Sequence, residues 1–403
     1  KLFRNNNDGS FTDVTELAGL NNFLSEEEGG DIYLGLNGNK SAASWGDYNN
    51  DGFPDLFLTY SFKVQLWRNL GNGTFADVTE ISGFDAVNDC RNTGATWFDY
   101  NNDSLLDIYI NDWDECGSNQ LYKNEGNSTF TNVTIETGIE GNENLFSYMA
   151  MPFDFNEDGF MDLYVSNDLD DANNLYINGG GNSFTDQAQS YGVDSMFDDM
   201  GITVGDYNND GFFDFFVTAI DKNILLTNNG DNTFIDLSVE KNVDNTGWSW
   251  GTLFADFDLD GDEDLFIVNG YEFEQRGPEP NYYFRNLISQ GQDTFEDVSA
   301  ELGLNEDVIS VTALDFDYDN DGDLDLFVTN NDTSSFFYEN RLLNFDDIES
   351  ALHWFKVDLE GTISNRDAIG TIITLTTASG TFKRYYSGVE FLGQSLQPVH
   401  FGL

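Results

Sequence analysis

Basic residues are scarce in this chain: 16 Lys and Arg stand against 73 Asp and Glu over 403 residues, a net charge of −57. That balance excludes nucleic acid as a partner, because phosphate binding rests on Lys and Arg. It also disfavours an anionic membrane surface. No apolar run approaches the roughly 20 residues that cross a bilayer, so no membrane insertion is expected. Proline occurs only 5 times, cysteine twice (Cys90 and Cys116) and histidine twice (His353 and His400). With both histidines near the C-terminus, no Ser/His/Asp or Cys/His set can be assembled in the first 345 residues. No secretory signal is visible at Lys1, and the chain opens in mid-motif, so a segment is expected to precede it.

What is present is aromatic and glycine-rich. Hydrophobic residues make up 39 %, aromatics 15 %, and there are 36 Phe and 39 Gly. Short strands joined by tight turns give this profile, and long helices do not. The segments WGDYNNDGFPDLFLTY, WFDYNNDSLLDIYIND, PFDFNEDGFMDLYVSN, VGDYNNDGFFDFFVTA, FADFDLDGDEDLFIVN and DFDYDNDGDLDLFVTN are one repeating motif. Their sixth loop positions (Gly52, Ser104, Gly159, Gly211, Gly261 and Gly322) are 52, 55, 52, 50 and 61 residues apart. About 20 residues after each loop comes a second motif of the type LWRNLGNGTFADVT, and an isolated copy, LFRNNNDGSFTDVT, opens the chain. Each repeat reads as four short strands, and four-stranded units near 50 residues are the signature of propeller blades. The expectation is an all-β, seven-bladed propeller over residues 1–345 followed by a small β module over 346–403. Six blades with a stray edge is the rival count.

The acidic loops carry oxygen donors at alternate positions. In the first, Asp47, Asn49, Asp51 and Asp55 fill positions 1, 3, 5 and 9, with Gly52 at the sharp turn and the Phe53 carbonyl at position 7. The same offsets give Asp99, Asn101, Asp103, Leu105 and Asp107, then Asp154, Asn156, Asp158, Phe160 and Asp162. They continue with Asp206, Asn208, Asp210, Phe212 and Asp214. The last two sets are Asp256, Asp258, Asp260, Asp262 and Asp264, and Asp317, Asp319, Asp321, Asp323 and Asp325. Six to eight hard oxygens on a curled backbone suit Ca²⁺, with Gly permitting the turn. No His or Cys falls in any loop, which argues against zinc and copper. Up to six Ca²⁺ are expected. They would return +12 of the −57 and leave −45, so the remaining acids read as a solvated surface.

These repeats resemble the FG-GAP/VCBS repeats of integrin-α-type propellers over roughly residues 1–345. The tail is similar to the ASPIC/UnbV module of cartilage acidic protein and its bacterial relatives. Ser364-Asn365-Arg366-Asp367-Ala368-Ile369-Gly370, Gly388 and His400-Phe401-Gly402-Leu403 carry that likeness. The resemblance implies a secreted or cell-surface calcium-binding protein that works by binding or adhesion, without established chemistry. Its partner would be a protein or a glycan, with self-association into a surface polymer as one form. Two departures stand out: Ser104 replaces the loop glycine of the second repeat, and relatives continue past the point where Leu403 ends this chain.

The remaining residues are read as structural. Trp45, Trp97, Trp248 and Trp250 lie on strands entering the loops, where blades pack, and His400 reads as a packed histidine. If Phe98 pairs with Ile108, the same register sets Cys90 opposite Cys116, and a disulfide there would fit an oxidising compartment. The rival to a binding module is a polysaccharide-active or cyclising enzyme. It would need a pocket near the central channel with perturbed acids not committed to calcium.

Overall fold

A computed structural model describes residues 1–20, 42–84, 87–113, 118–141, 146–271, 276–331, 333–344 and 352–403. Six antiparallel blades follow one another in chain order. Blade III, for example, runs Ser147–Phe153, Asp162–Asn167, Asn174–Asn178 and Phe184–Asp186, each strand pairing with the next. Blade IV (Asp199–Gly205, Asp214–Ala219, Ile224–Asn228, Phe234–Asp236) and blade V repeat this order. In blade I one long strand, Asp55–Asn69, serves as both second and third strand. Its middle also pairs with the start of Val87–Phe98, so blades I and II share a ladder. Blade VI shows three strands among the described residues: Ser310–Phe316, Asp325–Asn330 and Phe336–Tyr338. The tail forms two hairpin-like pairs, Trp354–Val357 with Val399–Gly402 and Thr371–Thr376 with Thr381–Tyr386.

One device locks blade to blade. The aromatic residue at loop position 2 packs on the fourth-strand Phe of the following blade. Tyr48 meets Phe130 at 5.5 Å, Tyr100 meets Phe184 at 6.0 Å, and Tyr207 meets Phe295 at 5.6 Å between ring centres. The Asn closing the third strand then donates to the carbonyl of that same aromatic residue. Asn124 reaches Tyr48, Asn178 reaches Tyr100 and Asn286 reaches Tyr207, at 2.7–2.8 Å. Buried polar groups are thereby satisfied where the blades wedge together. Trp97 is fully buried and Trp250 nearly so, as their core assignment expects.

The structure has six blades, not the expected seven. The N-terminal pair Phe3–Asn5 and Phe11–Asp13 forms a separate two-stranded sheet. It sits at the seam between blades VI and I: the Asn5 amide donates to the Tyr318 carbonyl at 3.3 Å, and Ala18 accepts from the Phe75 amide at 2.8 Å. The inner side of the seam is filled by the tail. Gln394 accepts from the Trp45 amide and donates to its carbonyl, while the Ser395 hydroxyl donates to the Asp315 carbonyl at 3.1 Å. Strand motifs counted along the chain miss this arrangement, because closure is made by two remote segments.

A second correction concerns register. Trp97, not Phe98, pairs with Ile108, Phe98 pairs with Asp107, and a bulge shifts the ladder between Asn92 and Gly94. The premise that set Cys90 opposite Cys116 is therefore off by one residue even before the bulge. Cys116 itself lies outside the described residues, as does the side chain of Cys90.

Candidate metal centres

Every loop is shaped by its own first Asp. The two oxygens of Asp47 accept from the backbone amides of Asp51 at 2.9 Å and Gly52 at 2.7 Å. Asp99, Asp154, Asp256 and Asp317 repeat this double acceptance at 2.8–3.2 Å, and Asp206 accepts from Gly211. Position 5 in turn accepts from the amide at position 7, as Asp51 does from Phe53 at 3.1 Å. The backbone thus folds the donors inward without help from an ion. Position 6 has φ between 73° and 106° in all six loops. Five of those residues are Gly, and Ser104 adopts the same left-handed geometry at φ 73°.

Positions 1, 3 and 5 converge. In the fifth loop Asp256, Asp258 and Asp260, and in the sixth Asp317, Asp319 and Asp321, each bring a carboxylate oxygen within 4.8 Å of the other two. Position 9 behaves differently. Asp55, Asp107, Asp162, Asp214, Asp264 and Asp325 are buried, and one oxygen of each accepts from the amide of the Asn closing the third strand, at 2.7–2.9 Å. They stand beside the converged group as braces that tie the loop to the blade. The side chains at position 7 of the last two loops are also braces: Asp262 accepts from Asn209 at 2.8 Å and Asp323 from the Leu343 amide at 3.0 Å.

Burial and like charge together push these carboxyls out of their usual range. Burial, followed by the neighbouring acids, raises Asp55 to about 8, and burial also raises Asp162 and Asp325 to about 7. Burial lifts Asp256 to about 8, against the pull of Arg384. Asp214 Oδ2 and Asp258 Oδ1 are buried with no hydrogen-bond partner. A hard divalent cation would satisfy such orphaned oxygens and return the acids to their charged form, so the donor set fits Ca²⁺.

Two features escaped the sequence reading. The residue at position 4 also has a positive φ and links neighbouring loops: Asn50 donates to the Ser104 carbonyl at 3.2 Å and Asn102 to the Gly159 carbonyl at 2.8 Å. The recurrent Asn before the fifth position was its only trace. The second is that the tail lies across the loop end of the propeller. Asp367 accepts from the Asp47 amide at 2.6 Å and Arg366 lies 3.6 Å from Asp47 Oδ2. Ser104 donates its hydroxyl to Ile363, Lys383 donates to Gly211, and Arg384 donates to Gly261 at 3.3 Å. Gly402 donates its amide to Asp256 Oδ2 at 2.9 Å, and His400 Nε2 sits 2.9 Å from the Gly322 carbonyl. Burial lowers His400 to about 4, so the ring is neutral and donates to that carbonyl.

The model of the FG-GAP-like repeat matches four overlapping stretches, 47–110, 99–165, 154–217 and 206–267. The chain belongs to the FG-GAP repeat family. The ASPIC and UnbV family matches residues 361–403, so such a domain follows the FG-GAP repeats. The loop at Asp317–Asp325 lies beyond the matched repeats yet has the same amide pattern. Among solved structures the chain is similar to an Agrocybe aegerita lectin described as recognising non-reducing terminal N-acetylglucosamine. That match has 17 % identity and a TM-score of 0.44 over 75 % of this chain and 81 % of the other. It is also similar to BBS1N, solved in complex with ARL6DN, at 10 % identity and TM-score 0.44 over 90 % and 95 %. A third is SapL1 lectin, solved with alpha methyl fucoside, at 8 % identity and TM-score 0.42 over 75 % and 94 %. No curated protein matches.

Proposed function

We propose that this FG-GAP protein is a calcium-loaded binding or surface-assembly module of the extracellular space or cell surface, in which Ca²⁺ holds the propeller and performs no chemistry. Its partner is a protein or glycan, or further copies of itself. The carrying observation is the donor set: in each loop backbone amides fold an Asp/Asx ring inward, and in the last two loops three carboxylates lie within 4.8 Å. Three like charges held that close call for a cation.

The enzyme reading would use the cavity under the tail. That cavity is lined by Asp256, Glu263, Asp315, Arg384, Glu390 and His400, among others, and measures about 130 Å³. Usual ligand pockets are roughly 300–1,000 Å³. Glu263, raised to about 7 by burial, lies 3.3 Å from Arg384 and accepts from the Asp206 amide at 2.9 Å, which commits it to holding the tail. Size and pairing both favour a plug over a reaction chamber.

Metal content of the full chain, after exhaustive dialysis against calcium buffer, tests the reading by mass spectrometry. At least five ions per chain are expected, and two or fewer would sink it.

A further inference from the structure

Two of the tail's cationic side chains meet a position-1 carboxylate: Arg366, at 3.6 Å from Asp47, and Lys356, which forms a direct ion pair with Asp317 Oδ2. We propose that Lys356 and a divalent cation are alternative partners of Asp317, which makes the sixth loop a cation-sensitive joint between tail and propeller. The inference rests on the calcium reading above.

Asp317 Oδ2 already accepts from the Gly322 amide at 3.0 Å, and its side chain is 2 % exposed. A calcium ligand oxygen must come within about 2.3–2.6 Å of the ion. An ammonium on the same oxygen occupies that approach, and its charge repels the incoming ion. The tail strands concentrate other contacts here. Lys356 pairs in register with His400, whose ring bonds the Gly322 carbonyl. Trp354 stacks on His400 at 6.4 Å between centres and lies so close over Gly322 that a Cβ there would collide with the indole. Trp354, Lys356 and His400 thus form a cover on one loop. Lys356 returns a single charge to a loop holding five Asp residues, so a divalent cation is the stronger partner once supplied. Its entry displaces Lys356 and loosens the cover. By linkage, the docked tail weakens cation binding at this loop by the same factor.

Two measurements on the full chain test this. In a calcium titration followed by tryptophan fluorescence, the component lost in Trp354→Phe reports the sixth loop. Lys356→Met should move its midpoint to about ten-fold lower calcium, within the usual range of site coupling, and Lys356→Arg should leave it near wild type. An unchanged midpoint in Lys356→Met overturns the proposal. Should that variant fold poorly, hydrogen exchange on the unmodified chain decides: amides of residues 354–357 should exchange faster with calcium, and equal or slower exchange overturns it. If the chain retains no calcium, the joint and the calcium reading fall together. Retained calcium with no response at Lys356 removes the joint alone.

Discussion

Gln394 grips both backbone groups of Trp45, accepting from its amide and donating to its carbonyl, so a residue near the C-terminus fastens the inner strand of blade I. The seam between the first and last blades is closed by this contact and by Ser395 on Asp315. Gln394→Ala removes three hydrogen bonds, the third donated to the Gly388 carbonyl at 2.6 Å, and leaves the Trp45 amide and carbonyl without this partner. At about 1 kcal/mol each, the expected loss is about 3 kcal/mol. Urea unfolding should show a lower midpoint at an unchanged slope. A variant as stable as wild type would mean that the seam does not depend on the tail.

Chelation should lower the melting temperature steeply. Each site at about 100 times its Kd contributes roughly 2.7 kcal/mol, and several independent sites add. High NaCl should partly rescue the chelated protein by screening the crowded acids. Calorimetry with and without EDTA, at low and high salt, checks both. An equal melting temperature after proven loss of the ions rules out a structural role for calcium.

The chelated protein should also respond to pH with a definite sign. Burial holds Asp55 near 8 and Asp162 and Asp325 near 7 in the folded state, against about 4 in an unfolded chain. Between about pH 4 and 8 the folded form therefore binds more protons, and stability falls as pH rises through that window. The EDTA-treated protein should melt higher at pH 5.5 than at pH 8. Calcium-saturated protein should show the opposite order, because its ligands must be deprotonated. A chelated melting temperature that is flat or rising with pH contradicts the argument.

Ser104 separates strain from bonding. Its left-handed backbone costs roughly 1 kcal/mol, and the hydroxyl donated to Ile363 returns about as much. Ser104→Gly should be close to neutral. Ser104→Ala keeps the strain and loses the bond, and should cost about 1 kcal/mol. Equal stabilities for the two variants would remove the strain, and a Ser104→Ala protein as stable as wild type would show that the tail contact contributes nothing.

A Cys90–Cys116 disulfide remains a chemical expectation of an oxidising compartment. Free-thiol titration of denatured, unreduced protein from its natural source should find none, and two titratable thiols would exclude the pairing.

The repeat, the loop donors and the tail motif were all legible in the sequence, because each is local. A DxDxDG-type loop is shaped by hydrogen bonds between residues at most five apart, such as Asp47 with Gly52, so its spacing survives in one dimension. The helical turns after the fourth strands, such as Thr134–Thr137 ended by Gly138 at φ 73°, are as local, and their recurrent glycine was a signal left unread. Tertiary structure decided the rest. Six blades replaced seven because a ring closes only in space: residues 394–395 and the first hairpin meet at a seam that neither motif announces. The pairing of Trp97 with Ile108 and the bulge beyond it recur in blades III to VI, where the residue before each loop also pairs with position 9, so they are the common register of these blades. Arg366, Lys356 and His400 took their places on the loops, like the seam, only in space. Their partners lie 39 to 319 residues away, and only packing of the tail on the acidic face of the propeller brings those charges and carbonyls together.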